Sequence, residues 1–194
     1  MLLAKGNKKL PKTTWIFNAS AAVDCPSRRL GLCQCPDKCY ALKAERMYKN
    51  VIPYRRKQAA LWRRRAPTYF VHDIHEQSER SKDKCKAFRF NEAGDFLNQD
   101  QLDWFASVCE LLDVLLGITC YGYTARTDLD LSGLIAHAGV NVSNDEGGWQ
   151  QSHRANRFKY VKQKTGEHPV CPGDCRKCTM CCASRGSTIE VEEH

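Results

Sequence analysis

Residues 171–182 read CPGDCRKCTMCC, five cysteines in twelve positions with Met180 as the only long apolar side chain. Such a stretch cannot organise itself by burying hydrocarbon, so its sulfurs must be held by something they bind. A second cysteine-rich stretch, CPSRRLGLCQCPDKCYA at 25–41, adds Cys25, Cys33, Cys35 and Cys39. The remaining three of the twelve cysteines, Cys85, Cys109 and Cys120, stand alone and read as small buried hydrophobes. A chain of 194 residues can build a core without disulfide staples. No apolar run approaches bilayer length, and the start, MLLAKGNKKLPKTTW, turns to lysine after four apolar residues, unlike a secretory leader. These features predict a cytoplasmic protein with no membrane partner, where thiols stay reduced and crowded thiols read as metal ligands.

The tail spacing is C-x3-C-x2-C-x2-C, built from Cys171, Cys175, Cys178 and Cys181, with Cys182 spare. Iron–sulfur clusters take four thiolates, and compact runs of this kind wrap several corners of one cluster. Gly173 permits close backbone approach at the turn. Zinc is the rival, since structural zinc also takes four thiolates, more often as two separated pairs. The expected cofactor is an iron–sulfur cluster of the 4Fe-4S type, with zinc as the alternative. Cys25, Cys33, Cys35 and Cys39 read as ligands too. Cys39 falls at a helix start, where the amide dipoles favour a thiolate. Spacing leaves open whether the two stretches make two sites or one.

Between the cysteine stretches the pattern alternates. TTWIFN (13–18), KAFRFNEAGDF (86–96), GITCYGYTA (117–125) and VNVSND (140–145) read as strands. KCYALKAERMYKN, the basic stretch after Pro53, the stretch from Pro67, DQLDWFASVCELL and DLDLSGLIAHAG read as helices, the last ending at Gly139. This order predicts an α/β fold, either a partial (β/α) barrel or an open, mainly parallel sheet of about four to six strands. Residues 1–165 are expected to form the α/β domain, with the Cys-rich first loop at 25–39. Residues 166–194 are expected to form an irregular metal-binding segment.

Several polar groups sit where strands should end: Asn91, Glu92, Asp95, Thr124, Arg126, Asn141 and Ser143. On a parallel sheet they would converge on one rim, there to bind a cofactor or substrate, or to cap helices. YRRKQAALWRRR (54–65) carries six cations and no acid, namely Arg55, Arg56, Lys57, Arg63, Arg64 and Arg65. With the net charge of +8, this stretch reads as a surface for DNA or RNA, or as a solvated helix face. QSHRANRFKYVKQK sets cations beside Phe158 and Tyr160, and HDIHE aligns His72, His75 and Glu76 on what reads as a polar helix face.

In CPDKCYALK, FRFNEAGDF, YGYTAR and the terminal CPGDCRKC, taken in order, the chain resembles the phage gene product 88 family. That resemblance implies a phage or mobile-element origin and no settled activity. More loosely, the chain is similar to radical S-adenosylmethionine enzymes, which place a cysteine loop after strand one of a partial barrel and a Gly-rich acidic motif after strand two. CQCPDKCYA and EAGDF occupy those places. The C-x3-C-x2-C ligand run of those enzymes is not met there. Cys35 and Cys39 are followed by Leu42, and the run occurs instead at Cys171, Cys175 and Cys178. S-adenosylmethionine is accordingly the less favoured cofactor. The leading expectation is an iron–sulfur protein, its cluster structural or redox-responsive, with a basic surface for nucleic acid or a host protein. A radical S-adenosylmethionine-like or other redox enzyme working at the strand rim is one alternative, and a zinc-dependent nucleic-acid-binding protein is the other.

Overall fold

A computed structural model describes residues 3–34, 36–143, 154–183 and 186–192. Seven strands form one sheet, and their order across the sheet is their order along the chain. β1 (Ala4–Lys5) pairs antiparallel with β2 (Thr14–Phe17). Four helices follow β2: α1 (Pro26–Arg29), α2 (Tyr40–Met47), α3 (Val51–Ala59) and α4 (Pro67–Glu79). Then come β3 (Ala87–Phe90), α5 (Gln99–Leu116), β4 (Thr119–Thr124), α6 (Ser132–His137) and β5 (Ala138–Val142). β6 (Asn156–Val161), α7 (Met180–Ala183) and β7 (Thr188–Glu192) complete the chain. Every pair from β2 to β7 is parallel, so the fold is an open α/β sheet.

Local chemistry sets the helix ends. Pro67 opens α4 at a position where its missing N–H costs nothing. At α5 the Asn98 side chain accepts from the Gln101 amide at 3.1 Å, and Gly117 closes the helix in the left-handed region at φ 61°.

Alternation along the strands then divides the sheet into two unlike faces. Trp15, Phe17, Phe88, Phe90, Cys120, Val140 and Val142 point into one core with the apolar sides of α4, α5 and α6. Its centre is aromatic. Phe70 meets Phe17 and Trp104 at 4.9 Å each, and Phe105 meets Phe96 at 5.2 Å and Trp104 at 5.3 Å, all edge-on. Each such contact contributes about 0.5–1.5 kcal/mol beyond area burial. The Phe90 ring lies against β4 so closely that a Cβ on Gly122 would sit 2.1 Å from its Cδ2.

The other face carries the alternate residues: Thr14, Arg89, Tyr121, Tyr123, Gly139, Asn141 and Asn156. Right-handed crossovers between strands laid down in one direction all fall on one side. α4, α5 and α6 take that side, and the opposite face is met by the connection between β6 and β7. A Cβ on Gly139 would lie 2.4 Å from the Cys181 carbonyl oxygen, and Asn141 Nδ2 donates to that same oxygen at 3.4 Å. Thr14 of β2 and Ile189 of β7 line one cavity although their strands are five places apart. A flat sheet would separate them by about 24 Å, so the sheet curves around this face.

Four features depart from the sequence reading. The sheet has seven strands, not four to six, because β1, β6 and β7 were not read as strands, β7 falling in the segment expected to be irregular. NRFKYV and TIEVE carry charged residues on strands near the sheet edge, which hides their period. β7 lies within 166–194 and pairs along its length with β6, so one sheet spans the expected boundary. Gly139 does not end a helix; it sits inside β5, where its missing side chain admits the tail. The strand expected at 86–96 stops at Phe90, and Asn91 turns out of it with φ 54°. Cys85, Cys109 and Cys120 are core residues, as expected. Among the described residues no helix is long and apolar enough to cross a membrane.

Phe105 is fully buried and touches four other rings. Phe105→Ala is expected to lower the unfolding free energy by about 3–5 kcal/mol, read as an earlier midpoint in urea denaturation. A loss below about 1 kcal/mol would mean that this cluster is not the core's centre.

Candidate functional site

The inner face of a packed barrel is normally filled with branched aliphatics. Here it holds phenols, amides, an arginine and thiols. Cys171, Cys175, Cys178, Cys181 and Cys182 line one cavity of about 170 Å³, together with Thr14, Ala87, Tyr121 and Ile189. The backbone explains how the tail arrives there. The Cys171 amide donates to the Glu190 carbonyl at 2.8 Å, which fixes the segment to the outer edge of β7. Asp174 accepts from the Arg176 amide and guanidinium and so shapes the turn. α7 then lays Cys181 and Cys182 against Gly139 of β5. Tyr123 Oη donates to Cys181 Sγ at 3.1 Å. The Tyr123 ring is held by Phe158, edge-on at 5.0 Å, and by the Arg89 guanidinium at 4.9 Å.

Burial pushes the Cys181 thiol up to about 11 and the Cys182 thiol up to about 12, and neighbouring sulfurs add to both shifts. Burial also raises Cys175, against the pull of Arg89. A cation bound among such thiols reverses this balance and holds them as thiolates. Every described cysteine is a free thiol. Soft sulfur donors suit zinc or iron–sulfur chemistry, so the donor set fits the expected group. Among the described residues, however, no three His, Cys, Asp or Glu side chains are grouped so as to hold an ion. The tail sulfurs share a cavity without converging on one point.

The first loop is elsewhere. Cys25 is buried at the start of α1, and burial raises its thiol to about 11. Cys33 lines a separate cavity of about 180 Å³ with Phe158, Tyr160 and Val191. Cys39 stands at the N-terminus of α2, as the sequence predicts, and packs on Ala22, Ala41, Leu42 and Ala93. Cys35 lies outside the described residues. No described residue of this loop lines the tail cavity.

The predicted rim residues do meet in part. Asp95 accepts from Ser27 Oγ at 2.6 Å, Thr124 Oγ1 at 2.7 Å, and the amides of Ala125 and Phe96 at 2.7 and 2.9 Å. Asn91 accepts from the Ala19 amide and donates to the Tyr123 carbonyl. Arg126 pairs with Asp128 at 2.7 Å and donates to the carbonyls of Phe96 and Leu97. These bonds tie the ends of β2, β3 and β4 together, so the polar capacity of Asn91, Asp95, Thr124 and Arg126 is used within the protein. Glu92 accepts from Asn7, and Ser143 lines the Cys33 cavity. Asn141 belongs to the inner face, where it joins Gly122, Asn156 and Cys181.

The basic stretch divides as well. Arg55 is buried, 2.8 Å from Glu45, whose carboxylate also accepts the amides of Ala22 and Val23. Arg56, Lys57, Arg63, Arg64 and Arg65 are exposed. Arg56 pairs with Asp24 at 2.7 Å, and Arg65 with Asp73 at 3.5 Å. Arg56 and Arg63 line a cleft of about 220 Å³ with Arg29 and Trp62, two residues that charge counting alone did not select. His72 and His75 are exposed on α4, and Glu76 pairs with Arg80, as a polar face requires. Arg89, Tyr121 and Tyr123 were also missed. The signal was present in FRF and YGY, where polar or phenolic residues alternate with core positions on central strands.

Fold and site together define an open α/β protein whose sheet face opposite α4, α5 and α6 is lined with thiols and phenols. The chain belongs to the Gene product 88 family, whose model matches residues 1–147. No curated protein and no solved structure matches it. The family match takes in β1 to β5 and the first cysteine loop, and it stops short of the tail cysteines.

Burial raises the Asp95 carboxyl above its ordinary 3.8, although its hydrogen bonds pull the other way. The folded state therefore holds this proton more tightly than the unfolded chain. Its contribution to stability is full below pH 3.8 and is lost as pH rises through the folded-state value. Urea unfolding at stepped pH should show this loss in the wild type and a shallower decline in Asp95→Asn. Parallel pH profiles in the two proteins would exclude Asp95 as the source.

Proposed function

We propose that this protein holds a thiolate-bound metal centre, an iron–sulfur cluster of the 4Fe-4S type, in the cavity lined by the cysteines of residues 171–182. The observation that carries this reading is the meeting of all five tail cysteines at one cavity on the polar sheet face opposite α4, α5 and α6. Cys171, Cys175, Cys178 and Cys181 would be the ligands, and a reducing cytoplasm would keep them available. When bound, such a cluster supplies one-electron redox chemistry and a covalent tie across the tail. The chain's own part is to anchor Cys171 on β7, dock Cys181 on β4 and β5, and cover the sulfurs from water. The described thiols of the first loop, Cys25, Cys33 and Cys39, stand outside this cavity. The internal bonding of the rim favours a structural or redox-responsive centre over a substrate site there. Anaerobically purified protein is expected to contain about four iron and four acid-labile sulfide per chain. Cys178→Ser and Cys181→Ser should lose both, while Cys85→Ala should keep them. Stoichiometric zinc without sulfide would replace this reading with the zinc one.

The exposed cations Arg56, Lys57, Arg63, Arg64 and Arg65 form the surface proposed for DNA or RNA, with Trp62 beside the cleft as an aromatic platform. Arg64→Ala is expected to weaken single-stranded DNA binding and to lower the salt slope by about one, with stability changed by less than about 0.5 kcal/mol. Arg55→Ala should instead cost about 3–5 kcal/mol of stability, because Glu45 is left as a buried, unpaired charge. Binding that ignores salt, or no binding, would leave the host-protein alternative for this surface.

A further inference from the structure

Arg89 occupies an unusual place. It stands on β3 between Phe88 and Phe90, both fully buried in the core, and its own side chain crosses to the opposite face of the sheet. A guanidinium keeps its charge under all ordinary conditions, so a sheltered one requires an anion or acceptors for its donors. Arg89 is only partly provided for among the described residues: its Nε is buried without a hydrogen-bond partner, and no described carboxylate stands within ion-pair distance of it. The guanidinium instead rests over the Tyr123 ring at 4.9 Å. That same ring carries the hydroxyl that donates to Cys181 Sγ at 3.1 Å. Glu92, just beyond the end of β3, acts on the guanidinium too but already accepts from Asn7; the other group near it able to supply negative charge is the thiol-lined cavity, once its sulfurs hold a metal. Four thiolates around either a 4Fe-4S core in its oxidised resting form or a zinc ion carry a net double negative charge.

We propose that Arg89 is the counter-cation of the thiolate centre and that Tyr123 both positions that cation and hydrogen-bonds a ligand sulfur. This rests on the iron–sulfur reading above and adds to it the residues that set the centre's charge balance. Neither residue is a ligand. Both act through the field at the sulfurs, which is the general route by which surroundings tune a cluster. Reduction adds one electron from a chemical reductant and makes the centre more negative. A fixed positive charge and a donor aimed at sulfur both stabilise that reduced form, and so both raise the midpoint potential.

The test is an anaerobic potentiometric titration of the purified full chain, followed by visible absorbance and by the paramagnetic signal of the reduced cluster. Arg89→Gln should shift the oxidised-to-reduced ratio at a given potential at least tenfold toward oxidised, a fall of about 59 mV for a one-electron couple. Tyr123→Phe should shift it in the same direction by less. Arg89→Lys keeps the charge and should hold the midpoint nearer to wild type than Arg89→Gln does. Cluster content measured on each variant separates tuning from loss of fold. A cluster lost in Arg89→Gln but kept in Arg89→Lys also supports the charge role, and a cluster lost in both overturns it. Unchanged midpoints with intact clusters overturn this inference alone. Wild-type protein lacking iron and sulfide overturns the reading beneath it as well.

Discussion

A parallel sheet whose strands are added in one direction has unequal faces. Right-handed crossovers place the helices on one side, and nothing in that topology covers the other. In this chain α4, α5 and α6 bury the aromatic face around Phe17, Phe70, Phe90, Trp104 and Phe105. That packing fixes the direction in which every alternate residue points. Arg89, Tyr121, Tyr123 and Asn141 face away from the helices because Phe88, Phe90, Cys120 and Val140 face toward them. The site is thus a geometric consequence of the core.

Two close approaches show how tightly the faces are coupled. Gly122 clears the Phe90 ring on the core side, and Gly139 clears the Cys181 carbonyl on the open side. A side chain at either would force the sheet from its neighbour. The tail is further secured by backbone bonds to β7 and by the amide of Asn141. What remains adaptable is the disposition of the sulfurs themselves, which share a cavity without surrounding a point. A metal that drew them together would add the cross-link that an apolar-poor segment cannot provide from its own side chains.

The polar rim and the basic stretch show why residue type alone is a poor guide to role. Asp95 and Arg126 belong to the kinds of residue that make active sites, yet they bind loop amides, hydroxyls and carbonyls. Arg55 belongs to a run of cations, yet it neutralises Glu45 inside the protein. A buried charge is retained when its partner and its hydrogen bonds replace water, and such groups then serve the fold. Exposure divides the run: Arg63 and Arg64 face solvent, and Arg55, on the inner turn of α3, does not.

Much of this was legible in the sequence. Alternating strand and helix patterns from Thr14 to Val142 give the α/β class, the helix starts at Pro67 and near Asp100, and the solitary core cysteines. The compact spacing of Cys171, Cys175, Cys178 and Cys181 is equally plain there, and it is what motivates the proposal of a ligand-bearing tail. β6 and β7 were not legible, because strands at and next to a sheet edge tolerate charge on a solvated side and their apolar period is short. Local pattern reports only which residues share a face of one element. Which face the tail would lie on, that its five thiols would meet one cavity, and that Arg89 would lie over Tyr123 were decided by the tertiary structure. Those contacts join residues from opposite ends of the chain, and only the one-directional order and curvature of the packed sheet bring them together.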